Sequence, residues 1–260
     1  MTFIGPWDSL RPNIPHMAPH ETTEPHLSSP ASRGLEHATN HDASLKVVAG
    51  GRSVGASRVS LRLMRCIDVV AASLSLVLVS PTALVVSVLI ATTSRGPVIF
   101  RQQRVGGGGK LFEVLKFRTM VHGTHLEVHA DPVARSLYEE NDFKLPADDP
   151  RITRVGRFLR KTSFDEVPQL VNVVRGEMSL VGVRPLLERE LALRPELDQQ
   201  LYRNHLPGLT GLWQVGGRSM VGEHDRFALD RVYLQTWSVR SNIVILFRTP
   251  LAVLRGSGAH

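Results

Sequence analysis

From Val69 to Ile90 the chain runs for 22 residues without a charge, VVAASLSLVLVSPTALVVSVLI. No other feature narrows the possible folds as much. About 20 apolar residues in a helix suffice to cross the hydrocarbon core of a bilayer, so the segment belongs in lipid. Two details bear on how it sits there. Ser80-Pro81 lies near the centre, where proline deletes one helix hydrogen bond and bends the axis. Basic residues stand at both ends: Arg58, Arg62 and Arg65 before the run, Arg95, Arg101 and Arg104 after it. A spanning helix carries its basic flank mainly on the cytoplasmic side. Two basic flanks suit a helix-break-helix re-entrant hairpin whose ends return to one face. A kinked span and the buried helix of a soluble protein are the alternatives. A break inside lipid requires partners for the freed backbone groups, and the Ser80 hydroxyl is a candidate.

The chain divides around this segment into a tail at 1–57, the membrane helix at 58–95 and a polar domain at 96–260. The first 45 residues hold six of the sixteen prolines and five of the eleven histidines, with no apolar period of 2 or 3.6, and are expected to be disordered. His16, His20, His26, His37 and His41 lack ligand spacing and read as solvated. No apolar core follows Met1 closely enough for a signal peptide. The 31 basic residues exceed the 24 acidic ones, a net charge of +7, so anionic partners are expected: nucleic acid, phosphorylated substrates or lipid headgroups. The single cysteine, Cys66, excludes an intrachain disulfide and reads as a small buried hydrophobe.

In the polar domain, Val98–Arg101 and Leu111–Thr119 read as strands joined through Gly106–Gly109 as a hairpin. Asn141–Pro150 is an acidic loop. Arg151–Lys161 reads as a short helix with Ile152, Val155, Phe158 and Leu159 on one side. Arg151, Arg154, Arg157 and Arg160 form its flank, either solvated or in contact with phosphates.

The stretch Ser163-Phe-Asp165-Glu166-Val-Pro168 leads into a helix that Gly176 stops. Either Asp165 or Ser163 can be the N-cap, and both choices put two carboxylates at a helix N-terminus. They either cap the helix or do chemistry. A carboxylate beside a second one can act as nucleophile while its neighbour holds a divalent cation. Arg160 and Lys161 precede the pair. Further cations suited to phosphate lie in Lys116-Phe-Arg118, Val183-Arg184-Pro185 and Gly217-Arg218-Ser219.

Taken together, these stretches resemble a known family. Gln103-Arg104-Val-Gly106, Lys116-Phe-Arg118-Thr-Met120, Ser163-Phe-Asp165-Glu166-Val-Pro-Gln-Leu170, Asn172, Gly176-Glu-Met-Ser-Leu-Val-Gly182, Arg184-Pro-Leu, Pro207-Gly-Leu-Thr-Gly-Leu-Trp-Gln-Val215 and Gly217-Arg218 occur in the order found in the bacterial sugar transferases, the small monotopic polyprenyl-phosphate phosphoglycosyltransferases. The resemblance runs from Leu61 to Arg255. It implies an α/β monotopic membrane protein with a re-entrant helix broken at Ser80-Pro81 and a cytosolic catalytic domain with amphipathic interfacial helices, Ile243–Leu254 among the apolar parts at the membrane.

The same resemblance implies transfer of a sugar 1-phosphate from a UDP-sugar to undecaprenyl phosphate, with release of UMP. Asp165 then matches the nucleophile that carries the phosphosugar, and Glu166 a Mg2+-binding carboxylate. Arg160 matches a phosphate-contacting arginine, with Lys116, Arg118, Arg184 and Arg218 as further phosphate contacts. The setting is exopolysaccharide, capsule, O-antigen or related glycan assembly at the cytoplasmic face of the bacterial inner membrane, with no nucleic acid partner. Oligomeric state is left open, a homo-oligomer included. Val183 stands where the family has proline, and Asn242 where an acidic residue is common. A non-catalytic, membrane-anchored basic module that binds lipid or nucleic acid is the rival reading, and it leaves Asp165-Glu166 and Pro207–Val215 without purpose.

Overall fold

The computed structural model describes residues 57–124, 149–216 and 223–254. The expectations for residues 1–56, for most of the acidic loop and for Gly217-Arg218-Ser219 lie outside the described residues. The uncharged run falls inside helix α1 (Arg58–Thr93), 36 residues long. The Ser57 hydroxyl caps its start by accepting from the Ser60 amide at 3.1 Å. Among the described residues this is the one helix long and apolar enough to cross a membrane. Pro81 sits within it. Proline lacks the N–H that the Val77 carbonyl would accept four residues back, and the Ser80 hydroxyl donates to that oxygen instead, at 2.8 Å. The helix runs through the proline without interruption.

One stripe of α1 is buried, at Met64, Asp68, Ala72, Val86 and Ile90, with the spacing of a single helix face. Leu74, Val77, Leu78, Leu84 and Val85 point away from it, each at least 59% exposed. Cys66 is exposed too, contrary to the buried hydrophobe expected of it, because it lies off the buried stripe. The flanking charges are not equivalent. Arg65 donates to the carbonyls of Val173 and Val174, and Arg104 is buried against Glu190. These two are committed to the fold and are not headgroup-facing flanks.

The hairpin forms as the pattern suggests, with β1 (Ile99–Val105) antiparallel to β2 (Leu111–Phe117) and Phe100 opposite Lys116. Its connection is a 3-10 turn at Gly107–Gly109, where Gly108 and Gly109 adopt φ of 69° and 73°, a region that only glycine occupies without strain. Helix α2 (Arg154–Thr162) starts three residues later than expected, because Thr153 caps it by accepting from the Gly156 amide at 2.9 Å. Arg151 pairs with Asp149 instead of joining the helix. Leu159 is fully buried, whereas Phe158, assigned to the same side, is 63% exposed.

A 3-10 turn (Phe164–Glu166) leads to α3 (Gln169–Arg175). Beyond it, β3 (Ser179–Val181), α4 (Glu188–Ala192), α5 (Glu196–Arg203), β4 (Gly208–Thr210), α6 (Leu212–Val215), α7 (Glu223–Gln235) and α8 (Val239–Leu254) follow in order. Strands β3 and β4 pair in parallel, Ser179 opposite Gly208. The main core joins Val114, Val173, Met178, Leu186, Tyr202 and Ile245. A smaller cluster packs Val86 and Ile90 of α1 on Phe117 and Leu159. Residues of α1 before and after Pro81 therefore both rest on the same domain.

Candidate active site

The site forms where β2, α2 and the turn before α3 meet. Ser163 ends α2 in the left-handed region at φ 55°, the only non-glycine residue among those described with positive φ. The chain then reverses into the 3-10 turn carrying Asp165 and Glu166, held by bonds from the Glu166 amide to Ser163 O (3.2 Å) and from the Val167 amide to Phe164 O (3.2 Å). Neither Ser163 nor Asp165 makes a side-chain cap. Helix α3 begins after Pro168, one short turn beyond both candidates. No side-chain cap hydrogen bond forms at Ser163 or at Pro168, the residues that precede the turn and α3. Phe164 stacks on Phe117 at 6.2 Å with rings 4° from parallel, tying the turn to the end of β2.

Lys116, on β2, reaches the turn. Its Nζ lies 2.7 Å from Glu166 Oε1, both side chains about one-third exposed at 29% and 32%. Asp165 is half-buried. Burial pushes its carboxyl up to about 6, with the Glu166 charge acting the same way, against the pull of Lys116 and Arg160. At pH 7 it is mostly ionised. Arg160, in the last turn of α2, donates Nε to the Thr119 hydroxyl at 3.1 Å. The structure therefore brings together Asp165, Glu166, Lys116 and Arg160.

The other candidates lie apart. Arg118 is buried at the end of α1, where it donates to Pro97 O (2.6 Å), Ser94 O (2.7 Å) and Ser94 Oγ (2.8 Å). It fixes the exit of α1: strand alternation would put it on the same face as Lys116, two residues before it, but β2 ends at Phe117 and the Arg118 side chain is taken up by Pro97 and Ser94. Arg184 is half-buried in the loop after β3, and its charge reaches the buried Asp230. Arg218 lies outside the described residues. Ser80 and Pro81 are exposed near the middle of α1.

Two residues matter here that no motif assigned a task. Asn172 is fully buried, and its side-chain amide pairs with the open edge of β2, accepting from the Leu115 amide at 3.0 Å and donating to Glu113 O at 2.7 Å. It substitutes for a neighbouring strand and sets α3, with the turn before it, against Lys116. Thr119 anchors α2: its carbonyl accepts from the Thr153 amide at 3.0 Å. A Cβ on Gly156 would come within 1.9 Å of that same oxygen, so only glycine permits the contact. The polar character of both residues inside a buried setting was the available signal.

As donors for a metal, Asp165 and Glu166 are two adjacent carboxylates, and no group of three His, Cys, Asp or Glu side chains forms a self-contained centre among the described residues. That donor set fits Mg2+, which binds through one or two carboxylates and completes its shell with substrate phosphate and water. Two acids and two cations thus lie together on a domain packed against an apolar helix of membrane-spanning length.

Sequence comparison supplies the class. Residues 59–256 match the model of the bacterial sugar transferases, and the chain belongs to that family. It is similar to a UDP-galactose-lipid carrier transferase of Erwinia amylovora, 48% identical over 202 residues, covering 76% of this chain and 42% of the relative. An undecaprenyl-phosphate galactose phosphotransferase of Salmonella typhimurium is 46% identical over 209 residues, covering 79% and 43%. The exopolysaccharide production protein ExoY of Rhizobium meliloti is 42% identical over 198 residues, covering 75% and 87%. The chain spans less than half the length of the first two relatives.

Proposed function

We propose that this protein transfers a sugar 1-phosphate from a UDP-sugar to undecaprenyl phosphate, as the initiating step of a surface or exopolysaccharide. The observation that carries the reading is the Asp165 carboxylate, held between Lys116 and Arg160 beside Glu166. Relatives named for this chemistry support it. An Asp165 oxygen attacks the phosphorus that bears the sugar. A P–O bond to the carboxylate forms as the P–O bond to UMP breaks, and the electron pair leaves with UMP. A phosphate oxygen of undecaprenyl phosphate then attacks the same phosphorus, displaces the carboxylate and leaves a diphosphate-linked sugar.

Arg160 and Lys116 offset the diphosphate charge, and Glu166, already oriented by Lys116, would hold Mg2+ beside them. The metal supplies charge neutralisation on the donor phosphates when bound. Helix α1 enters the cytoplasmic leaflet and returns, which sets the site at headgroup depth, where the acceptor phosphate sits while its tail stays in lipid. The hydrogen bond from Ser80 to Val77 satisfies the carbonyl that Pro81 leaves without an amide, which makes a bend there tolerable in lipid. The packing of α1 on one domain from both sides of the proline supports the same reading.

Turnover is tested by incubating purified protein with UDP-sugars, undecaprenyl phosphate and Mg2+. UMP and a lipid-linked product are expected with one donor. No UMP with glucose, galactose or N-acetylated donors overturns the activity. Topology is tested with Cys66 replaced by serine and single cysteines placed at Val59 and Arg95. Both should react only from the cytoplasmic side, and labelling of either from outside overturns the re-entrant reading.

A further inference from the structure

Thr119 holds α2 at both ends. Its carbonyl takes the amide of Thr153, the N-cap, and a second, longer bond from the Thr153 hydroxyl at 3.3 Å. Its hydroxyl takes Nε of Arg160 in the last turn at 3.1 Å. The residue is buried at 8% exposure, and the contact with Gly156 leaves no slack between α2 and the Thr119 backbone. Arg160 stands within electrostatic reach of two carboxylates, Asp165 on the turn and Asp149, which Arg151 already grips through Nε and Nη2 at 2.9 and 2.6 Å. An arginine side chain has several rotatable bonds, whose freedom is lost when it is immobilised. Fixing Nε decides the plane of the guanidinium, and so which way its terminal amino groups face.

We propose that Thr119 is a positioning residue: its hydroxyl fixes Arg160 Nε and so directs the guanidinium fork at the phosphates of the donor beside Asp165. This rests on the phosphosugar-transfer reading above and adds to it how one cation is aimed. Thr119 touches no substrate itself. Its effect passes through Arg160, so removing the hydroxyl after Arg160 has been removed should change nothing.

The experiment uses the full chain in nanodiscs as wild type, Thr119→Val, Thr119→Ser, Arg160→Gln and the double variant Thr119→Val/Arg160→Gln. Valine keeps the branched shape and the backbone carbonyl that α2 needs, and serine keeps the hydroxyl. kcat and KM for the UDP-sugar are measured alongside binding of inorganic pyrophosphate with Mg2+ by calorimetry. Thr119→Val should lower kcat/KM and pyrophosphate affinity about tenfold, the scale of one hydrogen bond to a charged group. Thr119→Ser should stay within about twofold of wild type, and the double variant should match Arg160→Gln alone. Additive losses in the double variant, or failure of serine to rescue, overturn the positioning role in favour of a structural one. Wild-type protein that binds pyrophosphate but turns over no donor defeats the proposed function, while coupling in the pyrophosphate affinities still decides the role of Thr119.

Discussion

The turn at Phe164–Glu166 and the region around α4, α5 and α7 use the same residue types to opposite ends. In the second region, charges are buried and matched. Arg104 meets Glu190 at 2.9 Å with both side chains under 8% exposed, and Arg194 meets Asp230 at 2.8 Å with both at 5% or less. Arg231, itself 43% exposed, covers the buried Asp198 through two bonds of 2.6 Å. At the turn, Lys116 and Glu166 are each about one-third exposed, and Asp165 lies between cations that only partly offset its burial. Matched, buried ions hold elements together. Partly exposed ions remain within reach of a ligand. Breaking pairs in the two regions should therefore fail in different assays.

The largest effect on folding belongs to the buried network. Arg104→Met leaves the Glu190 carboxylate buried without its cation and also removes a bond to Pro185 O, so stability should fall by about 3–5 kcal/mol. Thermal unfolding in detergent reads this directly, and a Tm shift no larger than that of a surface control would erase the distinction between the regions. Lys116→Met should do the reverse, lowering kcat/KM about a hundredfold or more while stability changes by less than about 1 kcal/mol, as for an exposed pair.

Asp165→Asn separates the two roles further. The folded-state value of Asp165, about 6, exceeds the ordinary carboxylate value, so ionisation opposes folding increasingly as pH rises through that interval and the penalty is complete above about 6. Asparagine removes it. In EDTA at pH 7.5 the variant should be more stable than wild type by up to about 3 kcal/mol, and this gain should vanish near pH 4. A less stable variant at pH 7.5 would mean the carboxylate contributes to the fold. The smallest effect is expected at Pro81→Leu, which returns an N–H to Val77 O and leaves the domain's activity in detergent within about twofold, since proline costs about 3 kcal/mol in a helix interior but lies far from the turn.

What could be read in advance follows from the range of each interaction. The long apolar helix, its proline, the glycine turn and the stop at Gly176 (φ 84°) are set by neighbours within a few residues, and the chain pattern revealed them. The grouping of Asp165, Glu166, Lys116 and Arg160 was visible only through family resemblance. Lys116 and Glu166 are 50 residues apart, and no spacing predicts their contact. Long separations also hid the destinations of Arg104, which pairs across 86 residues, and of Arg65, which pairs across more than 100. Arg118 looked like a phosphate contact because it shares a motif with Lys116, yet its burial at the end of α1 depends on where that helix stops. The left-handed Ser163 could not be foreseen either. Serine has no special ease at positive φ, and the surrounding packing imposes it.

The central claim is that Asp165 forms a bond to phosphorus. A single displacement needs donor and acceptor together and releases no UMP until both are present. The covalent route releases UMP from donor alone. Wild-type protein given Mg2+ and the correct UDP-sugar without undecaprenyl phosphate should release up to about one UMP per active site in a rapid burst and retain the phosphosugar on Asp165. Asp165→Asn should show neither. A wild-type protein that turns over with both substrates present but gives no burst and no label with donor alone would contradict the nucleophile and leave Asp165 as a general base.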